Sequence, residues 1–267
     1  MFIPLHDLNP IRHIRLQYAT LALIGLNVAT FLAVGAYARG DESVAKAIFF
    51  SFGYVPAVAG GLKSLPPELS RLPEWTDYAT YAFLHADLWH LAGNMLFVWV
   101  FGDNVEDALG HVRFVLFFLL CAAAGAFAHS IAQPLSESPL VGASGAAAGI
   151  VAAYLLLHPH VKLWVLAFGK IPMRISALWV LGLWILFQAA SLFLLPEDRV
   201  SWAAHLGGIL AGLVLLPIMK RRDVPLFSDT LDVARGRAPA APPAAPPTAA
   251  ASGEPAIRSP WGRQKDS

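Results

Sequence analysis

Charged side chains are scarce in this chain of 267 residues. Asp, Glu, Lys and Arg make up 14% of it, whereas they form about a quarter of an average soluble domain; apolar residues reach 57%. So few charges cannot cover a packed core with a water-facing surface, and the composition therefore predicts a membrane protein. A net charge of +1 provides no basic surface for a nucleic acid, and we expect no such partner.

Cysteine is nearly absent as well. The single cysteine, Cys121, lies in an apolar run and excludes an internal disulfide framework. We interpret it as a small buried side chain rather than as a nucleophile. Residues 1–15 lack the apolar stretch and the small-residue cleavage site of a signal peptide, so none is expected there.

Six apolar stretches are long enough to cross ~30 Å of hydrocarbon as helices. They predict an all-α fold, a polytopic membrane protein built as a bundle of six transmembrane helices. The predicted spans are residues 18–37, 88–105, 112–132, 140–157, 175–195 and 202–219. The membrane domain would occupy residues 18–220, after a short N-terminal segment of residues 1–17.

Basic residues indicate the orientation of the bundle. They lie before the first span, between the fourth and fifth, and after the sixth: Arg12, Arg15, Lys162, Lys170, Arg174, Lys220, Arg221 and Arg222. The short loops on the opposite side hold only Arg199. The positive-inside rule places both termini in the cytoplasm, and the short N-terminus without a targeting segment favours a cell inner membrane.

Two segments outside the spans have a different composition. Residues 38–80 form a long external loop with prolines and aromatic side chains such as Phe50 and Trp75, which predicts contact with the membrane interface. Residues 221–267 become rich in Ala and Pro and show no hydrophobic period, which predicts a disordered cytoplasmic tail.

Polar side chains lie within three of the spans, where they are costly unless they face protein or a functional site. His90 and Asn94 are four residues apart and share one face of the second helix. Ser144 is near the outer end of the fourth span, and His205 is near the outer end of the sixth. All four lie within about 10 Å of those ends, so we expect them to meet at one level in the outer leaflet.

Glycines accompany these polar residues. Gly145 and Gly149 form a small-residue face on the fourth helix. Gly208 and Gly212 form another on the sixth. Such faces let two helix backbones approach closely in a membrane, so that a hydroxyl on one helix can reach an imidazole on the other. The alternative is that the glycines serve packing alone, with the serine and histidine bonded to backbone carbonyls.

Serine becomes a nucleophile when a neighbouring base takes its proton, and a neutral histidine can be that base. A carboxylate normally orients the histidine, but none falls inside a span near His205. The acidic residues of the second helix, Asp103, Glu106 and Asp107, lie at its cytoplasmic end. Catalysis by Ser144 would therefore use a dyad.

The tetrahedral intermediate of such a reaction needs hydrogen-bond donors for its oxyanion. The side chains of His90 and Asn94 can donate, and so can the free backbone N–H groups at the helix start that holds Ser144. His85 lies just before the second helix, where we interpret it as forming a hydrogen bond that orders the loop.

The motifs HxxxxHxxxN at residues 85–94, GASG at 142–145 and AHLGG at 204–208 resemble those of the rhomboid family of intramembrane serine proteases. The resemblance covers roughly residues 14–219. It implies that Ser144 is the nucleophile and His205 the general base. It also implies that His90 and Asn94 stabilise the oxyanion.

Other residues would support the site by the same resemblance. Those expected to be structural near it are His85, Gly142, Gly145 and Gly208. The series of Gly102, Glu106 and Gly110 looks like the family's structural end to the second helix. Some members place an aromatic ring four residues after the serine to stack on the histidine, but this chain has Ala148 there. Another aromatic, such as Trp202, is therefore expected to hold the imidazole.

The function implied by the resemblance is an intramembrane serine endopeptidase that cleaves substrate transmembrane segments near their outer end. Its partners would be transmembrane protein substrates and the lipid bilayer, and its active site would open toward the periplasm or exterior. Substrates would enter laterally, past the fifth helix and the loop around Pro196. We expect no cofactor and no metal.

Four other kinds of protein are alternatives to this function. A rhomboid-like pseudoprotease, which binds or escorts membrane protein clients, would be marked by loss of the serine or the histidine, and both are present. A transporter or channel would carry ionisable residues deeper in the membrane and repeats between its halves. A metalloprotease would carry HExxH, and an intramembrane aspartyl protease would carry two carboxylates within spans; neither pattern occurs.

Overall fold

The computed structural model describes residues 2–7, 9–167, 169–195 and 200–228. The helices are α1 (Tyr18–Ala38), α2 (Glu42–Phe52), α3 (Pro56–Ala59), α4 (Asp77–Thr80), α5 (Leu88–Leu109), α6 (His111–Ala132), α7 (Ser144–Leu157), α8 (Ala177–Leu194) and α9 (Trp202–Met219). The strands are β1 (Phe2–Asp7), β2 (Lys162–Ala167) and β3 (Ile171–Ser176).

Within the described residues, six helices of 14 or more residues follow one another in the order of the predicted spans. The prediction of a helical, polytopic membrane protein is confirmed. Helices α1, α6, α8 and α9 are long and apolar enough to cross a membrane. Helix α5 is as long as α6 but carries Asp103, Glu106 and Asp107 in its last two turns. Those carboxylates lower its hydropathy, and they lie at the end where α1 begins.

Helix α7 is the shortest of the six, with 14 residues, or about 21 Å at the helical rise. The predicted span began at residue 140, but the helix begins at Ser144, because Leu140 pairs with Tyr54 as an isolated bridge and a glycine turn follows. Eleven of the 14 residues are buried, and α7 contacts α5, α6, α8 and α9. Since protein surrounds it, its length does not have to match the hydrocarbon thickness.

The closest helix packing joins α9 to α6 and α7. A Cβ atom on Gly208 would overlap the backbone carbonyl of Gly145, and one on Gly212 would overlap the carbonyl of Gly149. The glycines that the sequence placed on two small faces are therefore the contact between α7 and α9. Without side chains between them, the two backbones touch.

A three-stranded antiparallel sheet, in the order β1-β2-β3, lies at the end of the bundle where α7 ends and α8 begins. Strand β1 pairs with β2 from Phe2 opposite Ala167 to Asp7 opposite Leu163, with an irregularity between Pro4 and His6. The sequence analysis predicted no strands in these segments. The pairing joins residues about 160 positions apart, which a local pattern cannot reveal. We call this end of the bundle the sheet end.

Carboxylates of α5 fasten the sheet end to α1. Glu106 is fully buried and accepts hydrogen bonds from Ala19 N at 2.9 Å, Thr20 N at 2.7 Å and Thr20 Oγ1 at 2.6 Å. Asp107 accepts from the backbone N–H groups of His13 and Ile14. The first N–H groups of a helix have no acceptors within the helix, and Glu106 provides acceptors for two of them in α1. Its negative charge also interacts favourably with the positive end of the α1 dipole.

The segment predicted as a long external loop contains α2, α3 and α4. Asp41 begins α2 as its N-cap and accepts a hydrogen bond from Ser43 N at 2.8 Å. This segment and α1 line an open, largely apolar cavity of about 960 Å³. We call the end of the bundle that carries this segment the loop end.

The chain beyond α9 follows the sheet end as far as Ser228. Arg221 N donates to Ala108 O at 2.9 Å, and Phe227 N donates to Leu156 O at 2.8 Å. These contacts involve the first eight residues of the segment predicted to be a disordered tail. The rest of that predicted tail, residues 229–267, and the loop at residues 196–199 lie outside the described residues.

Candidate active site

Ser144 is the first residue of α7, at the loop end of the bundle, and its side chain is half-buried. The turn before it depends on Gly142, whose φ of +119° lies in the region that side-chain-bearing residues rarely adopt. Gly142 N donates a hydrogen bond to Tyr81 O at 2.9 Å. The GASG motif therefore forms a glycine turn that delivers the serine to a helix N-terminus.

His90 and Asn94 lie directly over this turn. Asp87 caps α5 by accepting from His90 N at 2.9 Å, and the two polar side chains point from the first two turns of the helix. A Cβ atom on Gly142 would be 2.5 Å from Nε2 of His90 and 3.4 Å from Nδ2 of Asn94. Both potential donors are thus placed beside the backbone two residues before Ser144.

His85 organises the same region from the loop before α5. Its Nε2 accepts from Asn94 Nδ2 at 3.0 Å and from Ala143 N at 3.4 Å, and its ring packs edge-on against His90 with centroids 5.1 Å apart. Burial lowers the pKa of His85 to about 4, so the ring is neutral near pH 7 and Nε2 remains an acceptor. His85 therefore orients the amide of Asn94 and the residue before the serine.

The contact between α7 and α9 sets Ser144 and His205 at one level. Gly145, next to the serine, has its Cβ position 3.3 Å from the carbonyl oxygen of Ala204, the residue before the histidine. In the described part of the chain, neither Ser144 Oγ nor His205 Nε2 makes a hydrogen bond. Catalytic hydrogen bonds are often long in unliganded enzymes and shorten when substrate binds.

Gln188 of α8 holds the other edge of the imidazole, since its Oε1 lies 2.9 Å from Nδ1 of His205. The ring of Trp202, which the sequence analysis named, packs edge-on against His205 with centroids 5.9 Å apart. Ala148 is buried against Ala152 and Ile209 and leaves no ring to stack on the histidine. Sequence reasoning missed Gln188, although a lone amide in the apolar run ILFQAAS was an available signal.

Tyr81 was also missed. It is almost completely buried, and its Oη donates to Ala122 O at 2.7 Å. The same hydroxyl lies 3.2 Å from the Cβ position of Gly145, while the backbone carbonyl of Tyr81 accepts from Gly142. Tyr81 therefore supports both sides of the serine turn. Its place in an irregular aromatic segment gave no sequence signal.

The predicted site residues therefore come together from three helices and one loop. The group contains a hydroxyl at a helix N-terminus, where backbone N–H groups are free, and an imidazole on the facing helix. It also contains an amide and a second imidazole as potential donors. Among the residues described, no carboxylate is hydrogen-bonded to His205. Such a set can carry out nucleophilic acyl transfer with a serine and a neutral base.

The family model of the Rhomboid domain matches residues 72–222, which is more than half of the chain. The chain is 31% identical over 142 residues to Rhomboid protein 1, mitochondrial, of Saccharomyces cerevisiae, covering 50% of this chain and 38% of that protein. It is 30% identical over 156 residues to Rhomboid-related protein 2 of Mus musculus, covering 56% and 51%. The chain thus spans about half the length of these relatives, or less.

Proposed function

Because this chain belongs to the rhomboid family, we propose that it is an intramembrane serine endopeptidase that cleaves substrate transmembrane segments near their outer end. One observation carries the proposal. The glycine contact between α7 and α9 holds Ser144 and His205 at the same level of the bundle, and the side chains of His90 and Asn94 lie against the turn before Ser144. Packing alone would explain the glycines but not four polar side chains gathered at this contact.

In the proposed reaction, His205 Nε2 takes the proton of Ser144 Oγ as the oxygen attacks the scissile carbonyl carbon. The histidine then returns this proton to the leaving amine nitrogen, and an acyl-enzyme remains on the serine. A water molecule hydrolyses the ester by the same route, with His205 again acting first as base and then as acid.

The oxyanion would be held by donors at the serine turn. Asn94 gives one amide hydrogen to His85, which leaves the second free to point to the oxyanion. The ring N–H of His90 and the backbone N–H groups at the start of α7 complete the set. Because these groups are held in place before the charge develops, they need little rearrangement during the reaction.

The substrate partners in this proposal are transmembrane proteins that reach the site laterally from the bilayer. Helix α8 exposes large apolar side chains along one side, including Trp179, Leu186 and Phe193, as expected for a helix that faces lipid. We propose access past this helix, in a cell inner membrane, with both termini cytoplasmic and the site opening to the periplasm or exterior. The basic residues at the sheet end support this orientation.

Cleavage of a single-span test substrate by the purified full chain in liposomes tests the proposal. Ser144→Ala should abolish cleavage and labelling by a fluorophosphonate probe, while the folded fraction stays unchanged. Cleavage by that variant at the wild-type rate would refute the mechanism. Binding of substrate without cleavage by the wild-type chain would favour the pseudoprotease alternative.

A second serine–histidine contact offers a matched control. Ser201 Oγ lies 2.8 Å from His129 Nδ1, also at the loop end of the bundle. Ser201→Ala should keep probe labelling and cleavage. Labelling that persists in Ser144→Ala and disappears in Ser201→Ala would show that Ser201, and not Ser144, is the nucleophile.

A further inference from the structure

Gln188 is a buried amide within the apolar sequence of α8. Only 3% of it is exposed, while its neighbours in the run ILFQAAS are mainly apolar. An amide in this position is costly in a membrane unless its polar atoms find partners within the protein. Its Oε1 has one, Nδ1 of His205 on the facing helix, at 2.9 Å.

The direction of this hydrogen bond fixes the tautomer of the imidazole. Because an amide oxygen can only accept, an Oε1 that faces the ring requires the proton to be on Nδ1 of His205. A neutral ring with its proton on Nδ1 has its lone pair on Nε2, and Nε2 is the atom that must take the serine proton. The opposite tautomer would place an N–H where the base is needed.

The residue before Gln188 supports the same ring from another side. The ring of Phe187 packs edge-on against Trp202, with centroids 5.7 Å apart at 88°. Trp202 in turn packs edge-on against His205, at 5.9 Å and 89°. Two consecutive residues of α8 therefore support the imidazole. Gln188 does so through a hydrogen bond, and Phe187 does so by packing against Trp202, which packs against His205.

We propose that Gln188 is a positioning residue that fixes the tautomer and orientation of His205, in the place where a triad has a carboxylate. This inference rests on the proposed function, because it assigns His205 the role of base. Gln188 itself touches no reacting atom. A neutral amide orients the ring without adding a negative charge to stabilise the imidazolium.

Two variants of similar size separate positioning from packing. Gln188→Met keeps the length of the side chain but removes the amide acceptor, whereas Gln188→Glu retains an acceptor oxygen. We expect Gln188→Met to lower kcat by roughly 10- to 100-fold with KM unchanged, as for a misplaced catalytic group. The separate variant Gln188→Glu should keep kcat within a fewfold of the wild-type value. Ser191→Ala, at another buried polar residue of α8, is the matched control and should leave kcat unchanged.

The tautomer can be measured without relying on cleavage. Nitrogen-15 NMR of histidine-labelled protein, with the His205 signal assigned by its loss in His205→Asn, should show a protonated Nδ1 and an unprotonated Nε2 in the wild type. Gln188→Met should populate the other tautomer. A wild-type ring protonated on Nε2, or a folded Gln188→Met with wild-type kcat, would overturn the inference. Cleavage by Ser144→Ala would instead overturn the proposed function and leave the tautomer result standing.

Discussion

The two ends of the bundle use buried polar groups in different ways. At the sheet end the carboxylate of Glu106 has three hydrogen-bond donors from α1 alone. At the loop end the candidate site is made of a hydroxyl, an amide and imidazoles, and within the described residues His205 is hydrogen-bonded at Nδ1 only. Both carboxylate oxygens of Glu106 are occupied by hydrogen-bond donors. The arrangement at the loop end leaves Nε2 of a base and the oxygen of a hydroxyl available.

This difference follows from the cost of burial. A buried carboxylate is costly unless it is paired or hydrogen-bonded, and Glu106 meets this requirement by accepting hydrogen bonds from the start of α1. Neutral imidazole, hydroxyl and amide groups cost less when one of their atoms is left without a partner. Hydrogen-bond saturation therefore distinguishes Glu106, which holds α5 to α1, from His205, to which we propose a role in the chemistry.

The largest effect is expected at the sheet end. Glu106→Ala leaves the N–H groups of Ala19 and Thr20 buried without an acceptor, and we expect a loss of about 3–5 kcal/mol in the free energy of unfolding. Thermal unfolding in detergent micelles measures it. Glu137→Ala, whose side chain is 68% exposed and pairs with Lys63, should cost less than about 1 kcal/mol. Equal losses in the two variants would contradict the fastening role.

At the loop end, Asn94→Ala should damage activity rather than stability. Loss of one oxyanion donor lowers kcat by about 10²–10³. Asn27→Ala provides the control, because Asn27 is also a buried amide, and within the described residues its side chain bonds only inside α1, to Leu23 O. Its kcat should match the wild type. The comparison between the ends fails if Asn94→Ala unfolds the protein as Glu106→Ala does.

The glycine contact between the helices should respond to a single methyl group. In Gly208→Ala the Cβ overlaps the carbonyl of Gly145, and separating α7 from α9 should cost about 1–3 kcal/mol and lower kcat. Gly182→Ala adds the same methyl to α8 where no described atom lies within 4 Å. That control should be neutral or stabilising by about 0.5–1 kcal/mol, as for glycine replacement within a helix. A Gly208→Ala protein as stable and active as the wild type would show that the contact is loose.

The smallest effect is a dependence of stability on pH at the sheet end. Burial raises the pKa of Asp7 from 3.8 to about 7, against the opposing effect of its hydrogen bond from Tyr154. The folded state then holds a proton that the unfolded state has released. This contribution is complete below pH 3.8 and is lost as the pH rises through about 7.

Wild-type protein should accordingly lose about 1 kcal/mol between pH 6 and pH 8, and Asp7→Asn should lose none. Melting temperatures at the two pH values provide the measurement. Asp41→Asn should behave like the wild type, because the hydrogen bond from Ser43 lowers the pKa of Asp41 and keeps its titration at acid pH. A free energy of unfolding of the wild type that rises between pH 6 and pH 8 would contradict a raised pKa for Asp7.

Much of the site could be read from the chain because its parts are local motifs. GASG encodes a glycine turn before a helix, and the i, i+4 spacing of His90 and Asn94 encodes a shared face. Gln188 and Tyr81 could not be assigned in this way. Gln188 reaches His205 only because α8 packs beside α9. Tyr81 contacts the serine turn only because an irregular segment folds against that turn.

The sequence by itself determined the membrane environment, the order of the long helices and the small faces that let α7 and α9 touch. These depend on hydrophobic runs and glycine spacing, which are properties of short segments. Tertiary structure alone decided that β1 pairs with β2, that Glu106 caps α1, and that Gln188 meets His205. Those contacts join residues that are distant in the chain, or on separate helices, and their partners are selected by packing rather than by local periodicity.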